Sequence, residues 1–129
     1  MSGHLFYADR YYGFDDAIYA SLRLLEMLAD EERSLSELLD ELPKTYATPE
    51  IRFACPDERK FEVVRRVLDH YRHGDVLDID GARVRFPGGW GLVRASNTQP
   101  ALVLRFEADS PGRLAEIRAE VEGVVARSA

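Results

Sequence analysis

A single cysteine, Cys55, is all the thiol chemistry in this 129-residue chain. One thiol excludes an intrachain disulfide and any multi-cysteine metal site, and it suits a reducing compartment, so Cys55 reads as a small buried apolar residue. Long hydrophobic runs are also missing. Nothing approaches the roughly 18 apolar residues of a membrane span, and charges scattered through the N-terminal part leave no signal-peptide core. The chain therefore reads as cytoplasmic, with no membrane partner. Positive charge is in deficit, 17 Lys and Arg against 23 Asp and Glu, for a formal net charge of -6. A nucleic-acid partner is not expected, because the broad cationic surface that displaces counterions from phosphates is lacking. His4, His70 and His73 are too scattered for a metal constellation, and His70 and His73 near a helix end suit its dipole. No Gly-x-Ser-x-Gly and no cysteine with an ordered histidine partner is present, which argues against an independent hydrolase.

What is present suffices for one packed core: 46% of residues are hydrophobic and 31% charged, the balance of a globular domain. The charge is unevenly spread. Residues 81–106 hold Arg83, Arg85, Arg94 and Arg105 and no acid, so this window is +4 while the remainder is -10. A small anion is a possible ligand there.

Residues 15–29 follow a helical rhythm, with Ile18, Leu22, Leu25 and Leu28 on one stripe and Asp15 and Asp16 opposing the positive helix end. Asp9, Asp15 and Asp16 offer carboxylates for a cation, with helix capping the competing role for the last two. Ser34-x-x-Glu37 is a capping-box pattern before a short helix that Pro43 closes. Residues 1–42 thus hold two helices and no convincing sheet. Residues 43–49 carry two prolines and read as a linker. Beyond it, Ile51, Phe53 and Cys55 alternate as in a half-buried strand, and Asp57 can cap a helix carrying Phe61, Val64, Leu68 and Tyr71 and stopped by Gly74. Residues 76–79 and 82–86 flank Asp80-Gly81, a dipeptide favoured in two-residue hairpin turns. Pro87-Gly88-Gly89 makes another turn; Pro87-Gly88-Gly89-Trp90-Gly91 lacks the Gly-Lys-Ser/Thr ending of a P-loop and the spacing of a dinucleotide fingerprint. Residues 92–95 and 101–107 read as strands, and Ser110-Pro111 opens a last helix striped by Leu114, Ile117, Val121 and Val124. The expected fold is α+β, a mostly antiparallel sheet with two helices packed on one face, preceded by a helical remnant.

Arg94-Ala95-Ser96-Asn97-Thr98-Gln99-Pro100 concentrates anion-binding chemistry in one tight connection. A guanidinium matches a phosphate bidentately, Ser96 and Thr98 add hydroxyls, Asn97 adds an amide, and turn N–H groups can converge as a nest. The same residues are equally good turn chemistry between two strands, with Arg94 solvated. Both readings stand on the residues alone.

Three stretches together resemble the α-D-phosphohexomutases, and within them the bacterial phosphomannomutase/phosphoglucomutase branch. Met1-Ser2-Gly3-His4 is similar to the end of the family's Gly-Glu-Met-Ser-Gly-His sugar loop. Asp9-Arg10-Tyr11-Tyr12-Gly13-Phe14-Asp15-Asp16 follows it in that family. Gly89-Trp90-Gly91-Leu92-Val93-Arg94-Ala95-Ser96-Asn97-Thr98-Gln99-Pro100 resembles the C-terminal phosphate loop and its approach. Asn97 and Met1 distinguish this chain from phosphoglucosamine mutases, which tend to carry Gly and Gln there. The resemblance implies that residues 1–42 are the helical end of sugar-binding domain three, 43–49 a linker and 50–129 the phosphate-binding domain four. It implies interconversion of hexose 6-phosphate and hexose 1-phosphate, of mannose or glucose, by the complete enzyme with its other domains, a phosphoserine and Mg2+. This fragment would carry no cofactor and be inactive alone. By the same resemblance Arg94, Ser96, Asn97 and Thr98 hold substrate phosphate, Ser2 lies in the sugar loop, and His4 lies near proton transfer. The competing reading is a free-standing phosphosugar-binding or protein-interaction module.

Overall fold

The computed structural model describes residues 3–129, and the chain divides into two compact units, Met1–Pro43 and Lys44–Ala129. In the first, an isolated bridge joins Phe6 to Asp15 ahead of α1 (Ala17–Ala29) and α2 (Leu35–Leu39). Asp16 caps α1, its carboxylate accepting the Tyr19 N–H at 2.9 Å. The expected capping box opens α2, with Ser34 N–H donating to Glu37 at 2.7 Å and Glu37 N–H donating back to Ser34 Oγ. Neither helix has a buried residue: Ile18, Leu22 and Leu25, on the predicted apolar stripe, are all more than half exposed.

The second unit is the expected α+β layer, a six-stranded sheet whose strand pairs are all antiparallel. Its strands are β1 (Tyr46–Ala47), β2 (Ile51–Ala54), β3 (Asp75–Leu77), β4 (Ala82–Phe86), β5 (Gly89–Ala95) and β6 (Ala101–Ala108). Strands β3 to β6 form a meander, and β1 and β2 pair in turn with the outer edge of β6. Helices α3 (Asp57–Tyr71) and α4 (Pro111–Ser128) both pack on this sheet and on each other. Between them and the sheet lies a core of Val63, Val67, Val93, Leu102, Leu104, Phe106, Ile117 and Val121, with Cys55 buried as expected. Burial of each such side chain contributes about 1.5–3 kcal/mol.

Four local expectations change. The stretch expected as a linker contributes Tyr46 and Ala47 to the sheet, opposite Ala108 and Glu107. Residue 57 begins α3 and Pro56 stands at the cap; the Asp57 carboxylate instead accepts from Lys60. The buried stripe of α3 is Lys60, Val63, Val64 and Val67, while Phe61 is largely exposed. Finally, β3 ends at Leu77 and β4 begins at Ala82, so four residues, 78–81, connect them. Ile79 in that loop is 91% exposed and has no apolar surface to hold it in a ladder. Pro87-Gly88 is the two-residue turn, joining Phe86 to Gly89, with proline first and Gly88 at φ +80°.

Gly89 sits where the sheet meets α4. A Cβ there would lie 2.4 Å from the Glu107 carbonyl oxygen and 2.7 Å from Ile117 Cδ1, whereas one at Gly112 in the first turn of α4 would meet nothing. Gly89→Ala should therefore destabilise the protein by about 1–3 kcal/mol. Gly112→Ala should stabilise it by about 0.5 kcal/mol. Urea midpoints for the two variants should move in opposite directions; a shared direction would contradict the packing described.

Candidate functional site

Residues 96–100 close the hairpin between β5 and β6. The register pairs Ala95 with Leu102, and Ser96 N–H donates to the Ala101 carbonyl at 2.9 Å, so the five-residue connection starts and ends at one point. Ser96 is 8% exposed and its side chain turns into the loop. Its Oγ accepts the N–H of Thr98 at 3.4 Å and of Gln99 at 3.2 Å. Those two amides are thus drawn inward and not gathered into an open nest. Asn97 and Thr98 are exposed. Asn97 N–H makes no hydrogen bond among the described residues.

Arg94 is the last charged residue of β5 and reaches Asp80, at 3.0 Å from Nη1 to the carboxylate. The glycine beside Asp80 makes this approach possible. Gly81 has φ +94°, and a Cβ on it would sit 2.4 Å from the Val93 carbonyl oxygen and 2.7 Å from Arg94 Cβ. The pair is partly exposed, so water and salt weaken it.

The same two-residue period puts all four arginines of the acid-free window on the sheet face opposite the helices. They are not bare charge. Arg85 meets Asp75 at 2.9 Å, Arg105 meets Glu50 at 3.2 Å, and Arg83 lies over the Trp90 ring, 4.5 Å from its centroid. Arg105 and then Arg52 hold the Glu50 carboxyl below its ordinary range. Three of the four thus meet carboxylates drawn from outside the window.

One residue that sequence reasoning missed lies beneath the loop. Lys60, 6% exposed, donates from Nζ to the Ser96 carbonyl and to Asp57 Oδ1, both at 2.6 Å, and to the Gln99 carbonyl at 3.3 Å. Arg52 holds the same loop from the other side by donating to Gln99 Oε1. The available signal was a lysine three and four residues before Val63 and Val64, on the face of α3 that must be buried.

In the first unit, His4 Nδ1 lies 2.5 Å from Asp15, and both border an open groove of about 320 Å³ with Gly3, Leu5 and Asp16. Ser2 lies outside the described residues. The three aspartates weighed as cation ligands have other partners. Asp9 accepts from Arg23, which lowers its carboxyl pKa; Asp16 is lowered by the Tyr19 N–H and then by the Tyr11 hydroxyl. Arg23 also stacks over Tyr7 at 4.8 Å. Among the described residues no group of three His, Cys, Asp or Glu is placed to hold a metal ion. No helix among the described residues is long and apolar enough to cross a membrane.

With this geometry in place, comparison with known proteins is decisive about kinship. Residues 50–124 match "Phosphoglucomutase/phosphomannomutase, C-terminal domain", and residues 1–46 match "Phosphoglucomutase/phosphomannomutase, alpha/beta/alpha domain III". The chain belongs to the phosphoglucomutase/phosphomannomutase family. A phosphomannomutase/phosphoglucomutase of Pseudomonas syringae pv. tomato is 46% identical over 120 residues, 92% of this chain and 26% of that protein. A phosphoglucomutase of Neisseria gonorrhoeae is 42% identical over 129 residues, 97% of this chain and 28% of that protein. The crystal structure of a family member from Burkholderia thailandensis superposes with a TM-score of 0.84 at 40% identity, covering 99% of this chain and 27% of that one. This chain therefore spans about a quarter of the length of these family members.

Ser96 is the keystone of the loop's own hydrogen bonding. Ser96→Ala should cost about 1 kcal/mol of stability and speed hydrogen exchange at Thr98 and Gln99, with Val93 and Leu104 unchanged. Unaltered exchange at both loop amides would contradict the bonding described.

Proposed function

We propose that the chain is the C-terminal part of a phosphohexomutase. Residues 1–42 are then the helical end of the sugar-binding domain, 43–49 the connection, and 50–129 the domain whose loop holds the phosphate of a mannose or glucose 1- or 6-phosphate. The observation that carries this reading is the presentation of the loop: Arg94 partly exposed, Asn97 and Thr98 exposed, and an Asn97 N–H with no partner, within a domain of phosphomutase kinship. The exposed apolar face of α1 supports the first part, since such a stripe needs the remainder of an α/β/α layer to cover it.

A mutase must hold the phosphate that is not reacting while the other end of the sugar reacts, and then accept the intermediate turned end for end. A clamp that reads only phosphate serves both orientations. Arg94 supplies charge and a bidentate match, Asn97 and Thr98 supply direction, and Ser96 shapes the turn that presents them. Asp80 keeps Arg94 extended toward the loop until an anion replaces it. In the first unit Asp15 orients the His4 ring, which places one imidazole nitrogen as a candidate proton acceptor beside the groove.

The described residues do not fit a Mg2+ site, because no three of their His, Cys, Asp or Glu side chains come together, and Asp9 and Asp16 are engaged by Arg23 and the start of α1. The metal that the family resemblance implies belongs with residues outside this chain, together with the nucleophile. On this reading the 129 residues bind phosphosugar and do not turn it over. Cytoplasmic residence accords with the single reduced cysteine.

Titration of glucose 1-phosphate or mannose 1-phosphate into the isotope-labelled chain should shift the amides of residues 94–99 and leave the rest still. Binding should be weak, since one domain gives only part of the enclosure. Arg94→Ala should abolish these shifts. Asp80→Asn, by removing the competing carboxylate, should tighten binding roughly two- to fivefold. Equal shifts in the Arg94 variant would sink the assignment.

A further inference from the structure

A lysine ammonium carries three donors, and those of Lys60 meet three acceptors: the Asp57 carboxylate and the carbonyls of Ser96 and Gln99. Burying such a charge is unfavourable unless it is fully partnered, and removing it leaves the buried Ser96 carbonyl without a donor, while the Gln99 carbonyl keeps the Ala101 N–H at 2.8 Å. Stability alone would be served as well by an apolar side chain in this apolar stripe of α3 and a loop with its carbonyls turned to water. The feature that sets this arrangement apart is which loop atoms the ammonium engages. Both are carbonyl oxygens of the turn at the end of β5.

Peptide units are planar, and none among the described residues is cis. In a trans unit the C=O of one residue and the N–H of the next point in opposite directions. With the Ser96 carbonyl drawn inward onto Lys60 at 2.6 Å, the Asn97 N–H must point away from the core. It is the loop amide without a partner among the described residues, while the next two N–H groups are taken by Ser96 Oγ. The Gln99 carbonyl is likewise drawn inward, and the following residue, Pro100, has no N–H to present. Lys60 and Ser96 thereby leave one backbone donor facing outward, beside the side chains of Asn97 and Thr98.

We propose that Lys60 is the positioning residue of the phosphate loop, its buried ammonium fixing the Ser96-Asn97 peptide so that the Asn97 N–H is already aimed at the anion. The proposal rests on the reading of residues 94–98 as a phosphate clamp. Lys60 does not itself touch the anion: it is covered by the loop, and its charge faces Asp57. Its contribution is pre-organisation, a donor that needs no peptide rotation when phosphate arrives.

The test uses the whole 129-residue chain with inorganic phosphate as the probe. In the native chain phosphate should shift the amides of residues 94–98, Asn97 most. Lys60→Met keeps the apolar stem and removes the ammonium. It should move the amide signals of residues 96–99 before any phosphate is added, weaken phosphate binding at least tenfold, and leave the Val67 and Leu104 signals in place. Native-like loop signals and native phosphate affinity in this variant would overturn the role of Lys60. Absence of any phosphate-induced shift in the native chain is a separate result and would overturn the phosphate reading itself. Should the variant fail to fold, the native ammonium answers directly, because the chain has only two lysines, Lys44 and Lys60. The Lys60 ammonium should exchange with water far more slowly than that of Lys44, and its signal should move with that of Asn97 on phosphate addition. Equally fast exchange of the two would overturn the proposal.

Discussion

The pairing of β5 with β6 is the constraint from which the rest of the second unit follows. Seven residue pairs, from Gly89 with Ala108 to Ala95 with Leu102, set the register. That register puts Val93 beside Leu104 and Gly91 beside Phe106 on the face the helices cover. A slip of one residue would turn Leu102, Leu104 and Phe106 to water and bring Arg105 into the core. Because β6 also carries β1 and β2 on its other edge, the whole sheet inherits the choice. The functional consequence comes at the end of the hairpin, where the same register brings Ser96 N–H onto the Ala101 carbonyl and so fixes where residues 97–99 emerge.

Charge follows geometry in the same way. The acid-free window looked like a patch of free positive charge along the sequence. Strand alternation places its arginines on one sheet face, and there each finds a different neighbour, Asp75, Asp80, Glu50 or the Trp90 ring. Only Arg94 stands next to the β5–β6 connection. Its ion pair with Asp80 joins β5 to the β3–β4 loop and is partly exposed, which makes it exchangeable. A buried pair at that position would hold the guanidinium too firmly to be passed to a ligand.

Much of this was legible in the residues because the signals are local. Ser34-x-x-Glu37 and Ser110-Pro111 announce helix starts by hydrogen bonds that span three residues, and both are found. The alternation of Ile51, Phe53 and Cys55 and the stripe of Ile117, Val121 and Val124 announce faces by simple periods. Arg94, Ser96, Asn97 and Thr98 stood out because four anion-compatible side chains fall in five residues. What escaped depends on contacts distant in sequence. Lys60 touches a carbonyl 36 residues away, and in a linear reading it looks like one more charge among Asp57, Glu58 and Arg59. Asp80-Gly81 suggested a two-residue turn, yet the loop is longer, since the pairing of β3 stops at Leu77 and Ile79 finds no apolar surface. Tyr46 and Ala47 sit between two prolines, too short a run to show a period, and join the sheet only because β6 offers them an edge.

The central claim is that the turn after β5 is a pre-formed anion seat, with Arg94 and the Asn97 N–H as its first donors. The most direct test is a crystal structure of the chain with glucose 1-phosphate at saturating concentration. The account predicts phosphate oxygens within hydrogen-bond distance of the Asn97 N–H and the Arg94 guanidinium, Arg94 released from Asp80, and residues 96–99 otherwise unmoved. A phosphate bound elsewhere while Arg94 stays on Asp80, or a loop that must refold to receive it, would contradict it.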